Sequence, residues 1–66
     1  MSQKAIGKIF KEARKKKGLT QTELADKSGV HVNTYARVER GDQEPTFSTV
    51  KRVAKVLGLN LSELPD

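Results

Sequence analysis

The pattern that most restricts the fold lies in residues 21–40, which predict two short helices joined by a tight turn. Thr20 and Glu23 form a capping box, in which a hydroxyl and a carboxylate three residues apart satisfy free amide groups at a helix start. Ala25 has a side chain small enough to let a second helix cross closely. Gly29 stands where a helix end commonly requires a positive φ angle. The chain is therefore expected to turn there and re-enter a helix.

The second predicted helix, from Val32 to Arg40, separates into two faces. Tyr35 and Val38 point to one side. The other stripe follows the spacing i, i+3, i+4, i+7 and consists of Asn33, Ala36, Arg37 and Arg40. Because this stripe carries two arginines and an asparagine with only alanine between them, the helix has the size and the hydrogen-bond donors to enter a DNA major groove.

The run from Leu19 to Gly41, LTQTELADKSGVHVNTYARVERG, resembles the helix-turn-helix of the lambda-repressor-like family of bacterial and phage regulators, the Cro/C1 type. The residues that carry the resemblance at their correct mutual spacing are the Gln21 start, Leu24, Ala25, Gly29, Val30, Val38 and the ERG ending. The similarity also covers helix 1 and the segment after Pro45. Nearly the whole chain is therefore included.

Apolar periodicity predicts the helices that flank the motif. In residues 1–17 the apolar stripe consists of Ile6, Ile9, Phe10 and Ala13, and Gly18 stops this helix. After the loop of residues 41–45, a second stripe consists of Phe47, Val50, Val53, Ala54 and Leu57. Thr46 is its expected N-cap, and Gly58 its end.

The last predicted element is a short fifth helix. Asn60 and Glu63 form a cap-like pair at its start, Leu61 and Leu64 lie on it, and Pro65 ends it. With the resemblance, the expected fold class is all-α. It is a compact five-helix lambda-repressor-like domain over residues 1–66, with the helix-turn-helix at about residues 21–40 formed by helices 2 and 3.

Length and composition narrow the function. A chain of 66 residues forms one domain that buries only about 60% of its unfolded surface, which leaves little room for a catalytic cleft. The net charge of +5 and the pI near 9.8 favour a polyanionic partner, which could be nucleic acid, acidic lipid or acidic protein. With no cysteine and one histidine, the chain offers no triad or metal set. We therefore expect no enzyme, no cofactor and no metal.

The same sequence predicts a cytoplasmic protein with no membrane partner. No apolar run approaches the roughly 20 residues that span a bilayer, and Lys4 and Lys8 interrupt the N-terminal segment too early for a secretory signal. The lack of cysteine suits a reducing compartment. The resemblance adds the expectation of a bacterial or phage-type protein that is associated with the nucleoid.

A basic face of helix 1 is open to three interpretations. It consists of Lys4, Lys8, Lys11 and Lys15. Such a face can be a solvated surface that keeps a small protein soluble. It can also attract DNA phosphates without reading sequence. Binding to a membrane or a calmodulin-like partner ranks third, because the core already needs the apolar face.

The resemblance assigns roles to residues in and near the motif. The positions that face the bases correspond to Val32, Asn33 and Arg37. The positions that hold phosphates correspond to Thr20, Gln21, Thr34 and Arg40. In the family an arginine on helix 1 pairs with a glutamate at the end of the recognition helix. The same pair here is Arg14 with Glu39, and we expect it to be at least partly buried.

Three of these residues have a structural alternative. Val32 could pack beside Tyr35 rather than contact a thymine methyl group. The hydroxyl of Thr20 could be occupied by capping, with or without a phosphate contact. Arg40 could be a solvated charge that is paired with Asp42.

Three features depart from the family's pattern. His31 stands where many relatives have serine or threonine as an N-cap, and histidine is a poorer cap. Tyr35 replaces an aliphatic core residue, so we expect its ring in the core and its hydroxyl at the rim. Asp42 and Glu44 lie in a loop where some relatives place basic phosphate-binding residues.

The resulting hypothesis is a sequence-specific regulator that binds double-stranded DNA and acts by occupying its operator. A repressor-type homodimer on a palindrome, with half-sites about 34 Å apart, would read enough base pairs for selectivity. The candidate dimer interface consists of Leu59, Leu61, Leu64 and neighbouring parts of helix 4, or else these residues close the monomer core. The alternative is an antitoxin or adaptor whose main partner is another protein.

Overall fold

The structure is a computed structural model that describes residues 3–64, apart from the side chains of residues 3, 4 and 63. This part of the chain contains four α-helices. The helices are α1 (Gln3–Lys16), α2 (Gln21–Ser28), α3 (Val32–Arg40) and α4 (Phe47–Leu57). The helix-turn-helix therefore consists of α2 and α3. The predicted basic position Lys4 has its side chain outside the described residues.

The segment after α4 is a single 3-10 turn, Leu61–Glu63, so the prediction of a fifth helix is wrong. The amide of Leu64 donates to the carbonyl oxygen of Leu61 at 3.1 Å, which is an i to i+3 bond. Because a 3-10 helix has three residues per turn, this geometry places the two leucines on the same side over a very short segment. The predicted stop at Pro65 lies outside the described residues.

The core lies between two pairs of packed helices. α1 packs mainly on α3, and α2 packs mainly on α4. The buried apolar residues are Ile6, Phe10, Leu24, Ala25, Tyr35, Val38, Val53, Ala54 and Leu57. They come from all four helices and include most of the positions that the apolar stripes predict, so burial of these faces is what holds α3 in place.

Phe47 is an exception to the predicted apolar stripe of α4. It is 70% exposed, although its spacing places it with Val50 and Val53. Phe47 is the first residue of α4, and Cα–Cβ bonds tilt toward the N-terminus of a helix, so its ring projects past the end of the core. The Nζ of Lys51 lies over the ring, 5.4 Å from its centroid.

The predicted helix caps of α2 are confirmed. The hydroxyl of Thr20 accepts a hydrogen bond from the amide of Glu23 at 3.0 Å, and the Glu23 carboxylate accepts one from the amide of Thr20 at 2.9 Å. Gly29 has a φ of 71°, and its amide donates to the carbonyls at the end of α2. These local bonds fix the length of α2 and the direction in which the chain enters α3.

We expect Thr46→Ala to lower the free energy of unfolding by about 1 kcal/mol, because the hydroxyl of Thr46 caps α4 by accepting from the amide of Thr49 at 3.1 Å. Urea denaturation followed by circular dichroism measures the change. Thr46→Ser keeps the hydroxyl and is the control. An equal loss in both variants would attribute the effect to the methyl group instead of the cap.

The part of the chain that the structure describes contains neither a membrane-spanning helix nor a metal-binding group. None of its helices is both long enough and apolar enough to cross a bilayer. Within residues 3–64, the His, Asp and Glu side chains form no group of three or more that could hold a metal ion.

Candidate nucleic-acid interface

The outward face of α3 carries the polar stripe that its sequence predicts. Asn33, Arg37 and Arg40 are exposed, whereas Tyr35 and Val38 on the opposite side are 0% and 1% exposed. A helix of nine residues is about 13 Å long, which suits a single crossing of a major groove. The predicted division of this helix into a packing face and a contact face is therefore confirmed.

The guanidinium group of Arg37 is free to meet a ligand. Within residues 3–64 it makes no hydrogen bond or ion pair. Val32 and Thr34 flank the stripe and are half-buried, and Val32 packs against the core cluster. Each of these two side chains is therefore partly covered and partly accessible to solvent.

His31 is the N-cap of α3, although histidine is a poorer cap than serine or threonine. Its Nδ1 accepts a hydrogen bond from the amide of Asn33 at 3.1 Å, and its backbone is extended, with φ −65° and ψ 137°. The Nδ1 atom thus takes the place of the hydroxyl oxygen that a serine or threonine would supply.

A polar cluster lies beneath the C-terminal end of α3, and we call its residues, Arg14, Gln21, Tyr35 and Glu39, the Glu39 cluster. Arg14 donates from Nε to Glu39 Oε2 at 2.7 Å and from Nη2 to Oε1 at 3.2 Å. The Gln21 amide donates to Oε1 at 3.0 Å, and the Tyr35 hydroxyl donates to Oε2. One carboxylate thereby links α1, α2 and α3.

The cluster is shielded from water. The side chains of Arg14 and Glu39 are only 11% and 3% exposed, and Arg14 also donates from Nη1 to the carbonyl oxygen of Leu19 at 2.8 Å. Tyr35 is fully buried, so the expectation that its hydroxyl lies at the rim is wrong. The hydroxyl instead turns inward because Glu39, one helical turn later, offers it a buried acceptor.

Both acidic groups of the cluster have shifted pKa values. Burial alone raises the pKa of the Glu39 carboxyl, but hydrogen bonds from Arg14, Tyr35 and Gln21 outweigh it and hold the pKa below its usual value. Burial, followed by the bond to Glu39, raises the pKa of Tyr35. The cluster is therefore built around an ionised Glu39 and a protonated Tyr35.

Gly7 sets the distance between α1 and the C-terminal end of α3. It is buried, and a Cβ atom built on it would lie 2.6 Å from the carbonyl oxygen of Glu39 and closer still to that of Val38. No side chain fits in that space. Gly7 was not predicted to be a packing position, although a glycine inside a helical apolar pattern is a signal of close packing.

Three residues for which the resemblance implies phosphate contacts make internal bonds in the structure. The Thr20 hydroxyl caps α2, and the Gln21 amide belongs to the Glu39 cluster. Arg40 donates from Nε to Asp42 Oδ2 at 2.9 Å, in a pair whose side chains are 60% and 61% exposed. Of the three, Arg40 is the most easily released, because an exposed pair contributes little.

Comparison with known proteins identifies the family. The family model described as helix-turn-helix matches residues 10–64, which include all of α2, α3 and α4. The chain therefore belongs to the helix-turn-helix family of the XRE type, to which DNA-binding transcriptional regulators and phage repressors belong. The resemblance of residues 19–41 to the helix-turn-helix of this family is confirmed.

Similar curated proteins are named as regulators. An uncharacterised HTH-type transcriptional regulator, y4dJ of Sinorhizobium fredii, is 38% identical over 92% of this chain and 79% of its own length. The cryptic phage CTXphi transcriptional repressor RstR of Vibrio cholerae is 39% identical over 83% and 50%. The HTH-type transcriptional regulator PuuR of Escherichia coli is 37% identical over 89% and 32%. The chain thus spans half or less of the last two.

Solved structures share the fold. The clp gene regulator ClgR of Corynebacterium glutamicum superposes with a TM-score of 0.87 at 30% identity, over 92% of this chain and 65% of that one. A wild-type restriction-modification controller protein gives a TM-score of 0.84 over 92% and 80%, and its 24% identity supports the fold alone.

Proposed function

We propose that this chain is a sequence-specific regulator that binds double-stranded DNA by placing α3 in the major groove. The observation that carries the proposal is the exposed stripe of α3, where the unpaired Arg37 and Asn33 stand above the buried Glu39 cluster. The cluster holds the helix by bonds to α1 and α2, so the stripe is presented rigidly. The names of the relatives, which include phage repressors, support a repressor-type action.

Base contacts are assigned to Val32, Asn33 and Arg37. An arginine donates in fork geometry to O6 and N7 of guanine, an asparagine pairs with adenine, and an apolar side chain contacts the methyl group of thymine. Phosphate contacts are assigned to Thr20, Gln21, Thr34 and Arg40. Thr20 and Gln21 stand at the start of α2, where free amides and the helix dipole favour an anion.

Binding as a homodimer to a palindrome belongs to the same proposal. One α3 reads few base pairs, whereas two copies related by a twofold axis read two half-sites. Leu61 is 42% exposed and is suited to an interface, and Leu59 and Leu64 beside it pack in part against the core. The candidate interface therefore centres on Leu61.

Selection from a random duplex library, followed by titration of the selected duplex and a scrambled control at two salt concentrations, tests the proposal. An enriched palindrome that binds more tightly than the control is the expected result, and it gives the half-site spacing. If no sequence is enriched and both duplexes bind weakly with a steep salt dependence, the antitoxin or adaptor hypothesis becomes the better one.

We expect Arg37→Ala to weaken binding to the selected duplex by roughly 1–3 kcal/mol and to relax the preference at one base pair, while non-specific binding stays nearly unchanged. The reason is the loss of two hydrogen bonds to a base edge. Fluorescence anisotropy with single-base variants of the duplex measures both effects. An equal loss on every duplex would assign Arg37 to phosphate contact instead.

We expect Asp42→Asn to strengthen binding to any duplex by about two- to fivefold, because Arg40 is then freed from Asp42 for a phosphate. Because Arg40 contacts a phosphate in both proteins, the slope of log affinity against log salt should stay nearly the same. Glu44→Gln removes the same charge from the same loop without releasing Arg40, and it is the control. If both variants gain equally, the cause is net charge rather than the pair.

A further inference from the structure

A second basic surface lies on the side of the domain formed by the ends of α2 and α4. Two adjoining hollows share Lys27 and Val56, and we call them together the basic hollow. Its main lining residues are Lys17, Leu19, Lys27, Arg52, Lys55 and Val56. The four cations form its edge, and two partly buried apolar side chains form its floor.

The basic hollow is separate from the stripe of α3. α4 packs mainly on α2 and, to a lesser extent, on α1. Lys27 lies in the last turn of α2, about 10 Å along the helix from the Thr20 end where phosphate contacts are proposed. A ligand in the basic hollow would therefore leave the outward face of α3 open.

The charge of the basic hollow is largely uncompensated. Among the described side chains the ion pairs are Arg14 with Glu39 and Arg40 with Asp42, so none of the four cations is in one. Asp26 is the one carboxylate that lines the hollow, and all four cations are exposed. Glu23 lies one turn before Lys27. The hydrogen bond from the amide of Thr20, together with the charge of Lys27, lowers the pKa of the Glu23 carboxyl, so Lys27 alone among the four cations is partly compensated from outside the hollow.

We infer that the basic hollow is a docking surface for an acidic protein segment that carries an apolar side chain. Carboxylates complement the four cations, which supply only hydrogen-bond donors. An apolar side chain covers Leu19 and Val56, and this second requirement favours a protein over DNA, whose backbone offers phosphates without such a side chain. The basic hollow and the outward face of α3 are thus separate surfaces for two partners. The inference about the hollow does not depend on the DNA proposal.

The test is a titration of the 15N-labelled protein with a synthetic acidic peptide in which one leucine is flanked by glutamates and aspartates. The expected result is saturable binding that shifts the amide signals of Leu19, Lys27 and Val56 and leaves those of Arg37 and Arg40 in place. A peptide of equal charge with serine for leucine should bind about tenfold more weakly, because the apolar contact is lost.

Charge reversal separates a local surface from general charge. The double variant Lys27→Glu with Lys55→Glu should weaken peptide binding by at least about tenfold. The control is Lys8→Glu with Lys11→Glu, which makes the same change in net charge on exposed positions of α1 and should bind as the native chain does. Circular dichroism of each variant verifies that it is folded.

Four results would overturn the inference. They are the lack of saturable binding, equal affinity for the leucine and serine peptides, equal weakening in both double variants, and a DNA duplex that shifts the amides of the basic hollow in preference to those of α3. The last result would assign the hollow to a second duplex instead of a protein segment.

Discussion

Replacement of Glu39 by alanine is expected to lower the free energy of unfolding by about 3–5 kcal/mol, because it leaves the Arg14 guanidinium buried without its partner. The Tyr35 hydroxyl and the Gln21 amide lose the same acceptor. A domain of 66 residues has a total stability of roughly 3–10 kcal/mol, so the expected loss is a large share of the whole. Urea denaturation followed by circular dichroism measures the loss.

A double-mutant cycle with Arg14→Ala tests whether the two side chains act together. Because each single variant strands the other partner, the double variant should lose less than the sum of the two single losses. Additive losses would show that the pair contributes no coupling. The exposed pair of Arg40 and Asp42 is the control, and its cycle should give a coupling of about 0–1 kcal/mol.

The same cluster makes stability depend on pH at both ends of the range. The pKa of Glu39 is lowered by folding, so its contribution is present above the ordinary carboxyl pKa of about 4.3 and is lost as pH falls through the folded value. The pKa of Tyr35 is raised by folding, so its contribution is present below the ordinary pKa of about 10 and is lost as pH rises above it. Thermal unfolding at a series of pH values should show both losses.

Gly7→Ala is expected to destabilise the domain by about 3 kcal/mol and to disturb α3. The new methyl group would meet the backbone carbonyls of Val38 and Glu39, which cannot rotate away as a flexible side chain can. α1 and α3 must then separate, and the bonds of the Glu39 cluster lengthen. This cost exceeds the gain of about 1 kcal/mol that alanine brings to a helix interior. Urea denaturation gives the net change.

Gly58→Ala is the control for Gly7→Ala. A Cβ atom on Gly58 meets nothing within 4 Å, but its φ is 72°. That variant should cost only the strain of the left-handed conformation, about 1–2 kcal/mol. If Gly7→Ala proves as stable as the native chain, α1 approaches α3 less closely than the structure indicates, and the cluster owes nothing to Gly7.

The polar stripe of the candidate interface could be predicted because its spacing is a property of α3 alone. Asn33, Arg37 and Arg40 share a face in any helix that contains them. The sequence also offered capping by Thr20 and pairing of Arg40 with Asp42 as alternatives, and both bonds form, but it did not predict that Gln21 is engaged. Gln21 reaches Glu39 only because α2 and α3 cross at that point, and the exposed Phe47 shows that a correct period does not guarantee a buried position.

The sequence by itself determined the order of the helices, the caps of α2 and the two faces of α3. These features depend on residues within one or two turns of each other. An example is Thr20 with Glu23, whose reciprocal hydrogen bonds need only the start of α2 and no contact with another helix. The tertiary structure decided the rest. The family resemblance predicted that Arg14 meets Glu39 across 25 residues of chain, but only the tertiary structure shows that Gly7 determines how near their helices come. Contacts between distant residues depend on how whole helices pack, and no local pattern encodes that distance.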